Sequence, residues 1–300
     1  MAEDTSKFLD PRVLDKVGGL ELKARLVVEG FMSGGHASPY KGSSVEFAEH
    51  REYVPGDDIR HIDWKVYGKS DRYYIKEFEE ETNLKAYVVV DTSNSMSYAG
   101  EGQVSKLDYS RYSAASLLYL IQKQRDAGAL ITFGKGVRTF LPPGTSGSHF
   151  RNMMRELSEA KADGETDLGS IFNEIADRLR SRSLVVVFSD LLDRNDEGIL
   201  RGLHRMGHRG HDVIVFHVLD HDEITFPFDR MTRFEGLEVV DHLLADPKAL
   251  REAYLAELEQ FQTRLKGICL GSRMDYVLLD TSRPLDVALS TYLAQRAGAR

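Results

Sequence analysis

The 300-residue chain is 42% hydrophobic and 29% charged, the balance of a folded globular protein, which excludes a wholly disordered or fibrous polypeptide. Its formal net charge of -8 opposes polyanionic partners, so neither a general nucleic-acid binder nor an anionic-membrane binder is expected. The lone Cys269 cannot form an internal disulfide, and with no signal segment and no apolar run of bilayer length the expected address is the cytoplasm.

Pro11 to Phe31 predicts a helix that Gly18 and Gly19 divide in two, with Leu14, Val17, Leu20 and Leu22 as apolar positions. Met32 to Ser44 is rich in Gly, Ser and Pro and reads as loop. From Arg51, "REYVPGDDIRHIDWK" contains a Pro-Gly-Asp turn followed by strand-like segments that continue into Tyr73 to Phe78. Residues 1–82 are therefore expected to form an accessory segment, and residues 83–300 the main domain.

From Leu84 the pattern changes. "LKAYVVVD" is a short, continuously apolar, β-branched run, as a strand covered on both faces requires. "KLDYSRYSAASLLYLIQKQRDA" follows as a helix, and further strands are predicted at "ALITF", "VRTFLP", "SLVVVFSD", "DVIVFHVL" and "MDYVLLD". Helices are predicted over Ser148 to Ala160, Leu168 to Arg180, Glu197 to Met206, Pro247 to Leu270 and Pro284 to Ala297. Such alternation implies an α/β fold with a doubly wound, mostly parallel sheet. Turn residues and short β-prone runs near 222–243 predict an inserted hairpin.

Ligands of open α/β sheets collect beyond the carboxyl ends of the strands, and three stretches fall there. Asp91 closes one strand and is followed by Ser93 and Ser95, Asp190 closes another, and Thr166 precedes a helix in "GETDLGSIF". Each stretch alone is equally a helix cap, because Ser, Thr and Asp satisfy free amides at helix starts. Together they form a hard-oxygen set without sulfur or imidazole, which suits Mg²⁺ and also Mn²⁺ or Ca²⁺.

Asp-x-Ser-x-Ser at 91–95, Gly-x-Thr-Asp-Leu around Thr166 and Ser-Asp at 189–190 resemble the metal-ion-dependent adhesion site of von Willebrand factor A domains. The resemblance implies that Asp91, Ser93, Ser95, Thr166 and Asp190 hold the metal, and that a partner's acidic residue completes its coordination. Leu191 departs from the pattern, since many A domains carry glycine there. "REY.PGDD.R.IDWK" leading into "F.EE" over Arg51 to Glu81 is similar to the bacterial Domain of Unknown Function 58 family. That resemblance implies a protein-interaction module working with a MoxR-type AAA+ ATPase or its client.

Other clusters have plainer readings. Asp57, Asp58, Arg60 and Asp63 fit turn hydrogen bonds and ion pairs, and Trp64 fits packing. His204 and His208 share a helix face with no further zinc ligands in view, and Arg178, Arg180 and Arg182 close a helix where its dipole favours cations. No phosphate-binding Gly-rich loop with lysine is present, and no serine has a recognisable histidine partner, so an enzyme is not expected. The rival reading is a metal-dependent hydrolase such as a phosphoesterase.

Overall fold

A computed structural model describes residues 9–33, 50–52, 73–76, 84–164, 166–179, 181–193, 196–230, 232–235 and 242–298. Helices α1 (Pro11–Asp15) and α2 (Leu20–Ser33) are separated where Gly19 takes φ 77°, a left-handed conformation that glycine adopts without strain. Strands β1 (His50–Glu52) and β2 (Tyr74–Lys76) pair antiparallel. The "LKAYVVVD" run is strand β3 (Lys85–Asp91), buried at every residue after Lys85. Val88 and Val90 enter one core while Tyr87 and Val89 enter another, so the two-residue period of the strand fills both faces. Each such valine contributes about 1.5–3 kcal/mol by leaving water.

The chain continues through α3 (Lys106–Lys123), β4 (Ala127–Phe133), β5 (Val137–Gly144), α4 (Gly147–Glu159), α5 (Leu168–Arg178), β6 (Leu184–Ser189) and α6 (Asp196–His208). It ends with β7 (Asp212–Leu219), α7 (His221–Thr225), β8 (Thr232–Glu235), β9 (His242–Ala245), α8 (Pro247–Gly271), β10 (Asp275–Asp280) and α9 (Asp286–Gly298). The main sheet has the order β10-β7-β6-β3-β4-β5, parallel throughout except for β5, which returns antiparallel to β4 at one edge and carries Pro142 and Pro143. Residues of α2, α3, α4 and α9 cover one face of the sheet, and residues of α5, α6 and α8 the other. This is the expected doubly wound, mostly parallel α/β sheet. Helices α5 and α6 approach so closely that a Cβ on Gly169 would lie 2.9 Å from the backbone of Gly198.

The chain divides into two compact units, Met1–Ala37 with Leu84–Arg300, and Ser38–Asn83. This differs from the boundary expected at residue 82. Leu14, Ala24, Val27, Val28 and Phe31 are buried in the core of the main sheet, and Lys23 Nζ donates to Tyr112 Oη of α3 at 2.8 Å, so α1 and α2 belong to the sheet domain. The apolar stripe of α2 can leave water only by packing on a neighbour. The predicted hairpin is the β8–β9 pair, which starts later than expected because residues 221–225 are taken by α7. The predicted loop over 34–44 and the residues Asp57, Asp58, Arg60, Asp63 and Trp64 lie outside the described residues.

Candidate metal centre

Strand β3 lies between β4 and β6, and the chain leaves it in opposite directions on its two sides, so the carboxyl ends of β3 and β6 border the crevice of the sheet. Asp91 is the last residue of β3 and Asp190 follows β6; their exposures are 1% and 0%. Pairing of Val90 with Phe188 sets Ser189 beside Asp91, and the Ser189 hydroxyl donates to Asp91 Oδ2 at 2.5 Å. The other oxygen, Oδ1, accepts the Ser93 amide at 2.8 Å, a local turn that aspartate commonly makes with the amide two residues on.

That turn carries Ser93 and Ser95 back over the strand end, their hydroxyl oxygens 3.0 Å apart. Ser93 opens a single 3₁₀ turn, Asn94–Ser97, yet its side chain makes no capping bond. A helix cap therefore does not account for Ser93. The same holds for Thr166, because Asp167 caps α5 by accepting the Ser170 amide at 3.0 Å. Thr166 Oγ1 is sealed from solvent without a hydrogen-bond partner, although buried hydroxyls are rarely left so. Its loop is fastened to the Asp91 loop by the Asn94 amide donating to Gly164 O at 3.1 Å and the Asp163 amide donating to Thr92 O at 2.9 Å. The Leu168 amide donates to Asp193 Oδ2 at 2.7 Å and links the start of α5 to the segment after Asp190.

Asp190 Oδ1 accepts the Leu192 amide at 3.2 Å, and Oδ2 accepts Lys106 Nζ at 2.8 Å. Lys106, the first residue of α3, has no exposed side-chain surface and also donates to Glu223 Oε1 at 2.7 Å. Glu223 Oε2 in turn accepts the Asp220 amide at 2.8 Å in the capping box of α7. Sequence reasoning missed Lys106 and Glu223. The available signal was a lysine in the first turn of a helix, where the dipole disfavours a cation. His217 is also committed here, with Nε2 donating to Asp190 O at 2.9 Å and Nδ1 accepting from Tyr276 Oη at 2.7 Å.

The electrostatics follow from burial. Asp91 is pushed up to about 7, first by loss of water and then by the negative charge of Asp190. Burial also pushes His217 down to about 4, so it is neutral near pH 7. For Lys106 burial opposes the charge, but Asp190 and Glu223 more than offset it and hold the ammonium above the ordinary lysine range. At Leu191, in the place where the A-domain pattern has glycine, the backbone takes φ 53°. This left-handed turn costs on the order of 1 kcal/mol for a residue with a Cβ, and the complete burial of the side chain holds it in place.

Two mutually repelling carboxylates, a pair of adjacent hydroxyls and an unpartnered hydroxyl fit a hard divalent cation such as Mg²⁺, Mn²⁺ or Ca²⁺. Among the described residues no group of three or more His, Cys, Asp or Glu side chains assembles to hold a metal ion, here or elsewhere, so the candidate centre rests on two carboxylates and neutral hydroxyls. His204 and His208, with Nε2 atoms 2.9 Å apart, remain an exposed pair on α6. Arg178 sits over the Phe140 ring, 5.4 Å from its centroid, and Arg182 pairs with Asp212 at 3.3 Å. Cys269 is a buried free thiol.

The family described as "Protein of unknown function DUF58" matches residues 49–264. Rv1480 of Mycobacterium tuberculosis and Mb1516 of Mycobacterium bovis are each 28% identical over 293 residues, covering 96% of this chain and 90% of the relative. YeaD of Bacillus subtilis is 26% identical over 148 residues, 49% of this chain and 35% of its own. Among solved structures, BatB from Bacteroides thetaiotaomicron superposes with a TM-score of 0.44 at 14% identity, covering 72% of this chain and 98% of its own. An aerotolerance-related membrane protein from Bacteroides fragilis gives 0.45 at 19% identity, covering 71% and 99%.

Proposed function

The chain belongs to the DUF58 family, and we propose that it is a metal-dependent protein-interaction module, in which Asp91, Ser93, Ser95, Thr166 and Asp190 hold Mg²⁺. The observation that carries this reading is the Thr166 hydroxyl, buried without a partner on a loop fastened to the Asp91 loop. A divalent ion there supplies residual positive charge and an open position for a carboxylate. The chain's own residues orient the donors: Ser189 and the Ser93 amide fix the Asp91 carboxylate, and Lys106 with the Leu192 amide fixes that of Asp190. The partner is then an acidic segment of another protein, and the family resemblance points to a MoxR-type AAA+ ATPase or its client. Among the described residues no helix is long and apolar enough to cross a membrane.

An interaction role is favoured over hydrolysis because His217, the imidazole tied to the Asp190 backbone, has both ring nitrogens engaged and is held neutral by burial. The test is calorimetric titration of Mg²⁺ into chelator-treated wild-type protein and into Asp91→Ala, paired with capture of a purified MoxR-type ATPase in magnesium and in chelator. Wild-type protein should bind both ion and partner, and Asp91→Ala neither. Capture that persists in chelator would sink the metal-dependent reading, and phosphate-ester turnover lost in Asp91→Ala would replace it with a hydrolase.

A further inference from the structure

Lys106 has no counterpart among the expected site residues. Its side chain is fully buried, its ammonium lies 2.8 Å from Asp190 Oδ2 and 2.7 Å from Glu223 Oε1, and it stands in the first turn of α3, where the helix dipole repels a cation. The amide end of α3 is already capped by Ser105, which accepts the Asp108 amide at 3.0 Å, so capping gives Lys106 no task. Stability is a weak explanation too, because a buried ion pair is commonly matched or bettered by apolar residues of similar volume. What distinguishes the position is that one of its two acceptors is a carboxylate assigned to the metal and the other is not.

We propose that Lys106 sets the affinity of the centre for its cation: the ammonium holds Asp190 in place and repels the ion, so that the site binds a free divalent cation weakly and binds it firmly once a partner carboxylate is added. This rests on the metal reading above and specifies how the site is tuned. Glu223 is the alternative seat for the ammonium's charge. It is anchored to α7 through the Asp220 amide, and Asp220 is itself fixed by the Gly100 amide at 3.0 Å and the Thr281 hydroxyl at 3.1 Å. The more of the lysine's charge Glu223 neutralises, the less remains against a cation at Asp190. Lys106 is thus a positioning and affinity-setting residue, and removing the charge of either neighbour has a defined sign.

The experiment is Mg²⁺ calorimetry, repeated with Mn²⁺, on full-length wild type, Lys106→Met and Glu223→Gln. Lys106→Met should tighten binding by about tenfold or more, the scale of one unit charge removed within a few ångströms of a divalent ion under partial screening. Glu223→Gln should weaken it by about threefold or more, because the ammonium then faces Asp190 alone. Opposite signs support the proposal, as does binding by Lys106→Met when the wild type shows none. If the wild type binds and Lys106→Met binds equally or more weakly, Lys106 does not set the affinity, and the metal reading survives. If none of the three binds either ion, the metal reading itself fails. Should Lys106→Met not fold, Glu223→Gln decides, and unchanged or tighter binding overturns the proposal.

Discussion

Replacing Asp91 with asparagine should make the metal-free protein more stable, although it removes the central carboxylate of the candidate site. The rise of this group from 3.8 to about 7, driven first by burial and then by Asp190, means that ionised Asp91 burdens the folded state. At 1.36 kcal/mol per pH unit the burden is about 4 kcal/mol once the pH exceeds the folded value. Asparagine is neutral and retains the Ser93 amide bond, while exchanging the charge-assisted bond from Ser189 for a weaker one, a loss of about 1–2 kcal/mol. The net expectation is a stabilisation of about 2 kcal/mol in chelator at about pH 8, read by urea denaturation. The sign over pH is fixed. Folded Asp91 keeps a proton that the unfolded chain releases between about pH 4 and pH 7, so the wild type gains from this group as pH falls through that window. The advantage of Asp91→Asn should shrink over the same range. Asp91→Asn no more stable than wild type at about pH 8, or an advantage that does not narrow on acidification, would refute the placement of Asp91 beside Asp190 in a buried crevice.

Three further outcomes follow from the same geometry. Thr166→Val removes a hydroxyl that has no partner, so metal-free stability should hold or rise, while Mg²⁺ affinity measured by calorimetry should fall by about tenfold or more. Gly169→Ala drives a methyl to 2.9 Å from the Gly198 backbone and should cost about 1–3 kcal/mol in chemical denaturation; Gly267→Ala, at an exposed position of α8 with nothing within 4 Å, should add about 0.5–1 kcal/mol. Lys106→Met leaves Asp190 and Glu223 without their shared cation and should lower stability by about 3–5 kcal/mol, whereas simultaneous Glu223→Gln should recover part of that loss.

The central strands were legible because a strand buried on both faces must be apolar at every position, and "LKAYVVVD", "SLVVVFSD" and "DVIVFHVL" became β3, β6 and β7. The carboxylates at two of their ends were readable for the same reason, since a polar residue closing such a run marks the sheet's rim. The Gly18–Gly19 break was also readable from local chemistry. The destination of α2 was not, because an amphipathic helix announces that it has a buried face without naming what covers it. Lys106 was hidden for a related reason. A lysine reads as solvated until the two carboxylates that receive it, 84 and 117 residues further along, are seen to converge on it.

The proline pair in β5 bears on how molecules of this protein meet one another. Pro142 and Pro143 have no amide hydrogen, so the outermost strand ends in two successive residues that cannot donate to a neighbouring strand. A sheet edge is otherwise a template onto which another chain can add. Successive residues of a strand turn their nitrogens to opposite sides, so the pair withholds one donor from the outer edge and one from the side of β4. A second copy pairing along β5 would therefore lack a ladder donor near the end of the strand, which disfavours one continuous sheet at this side of the molecule.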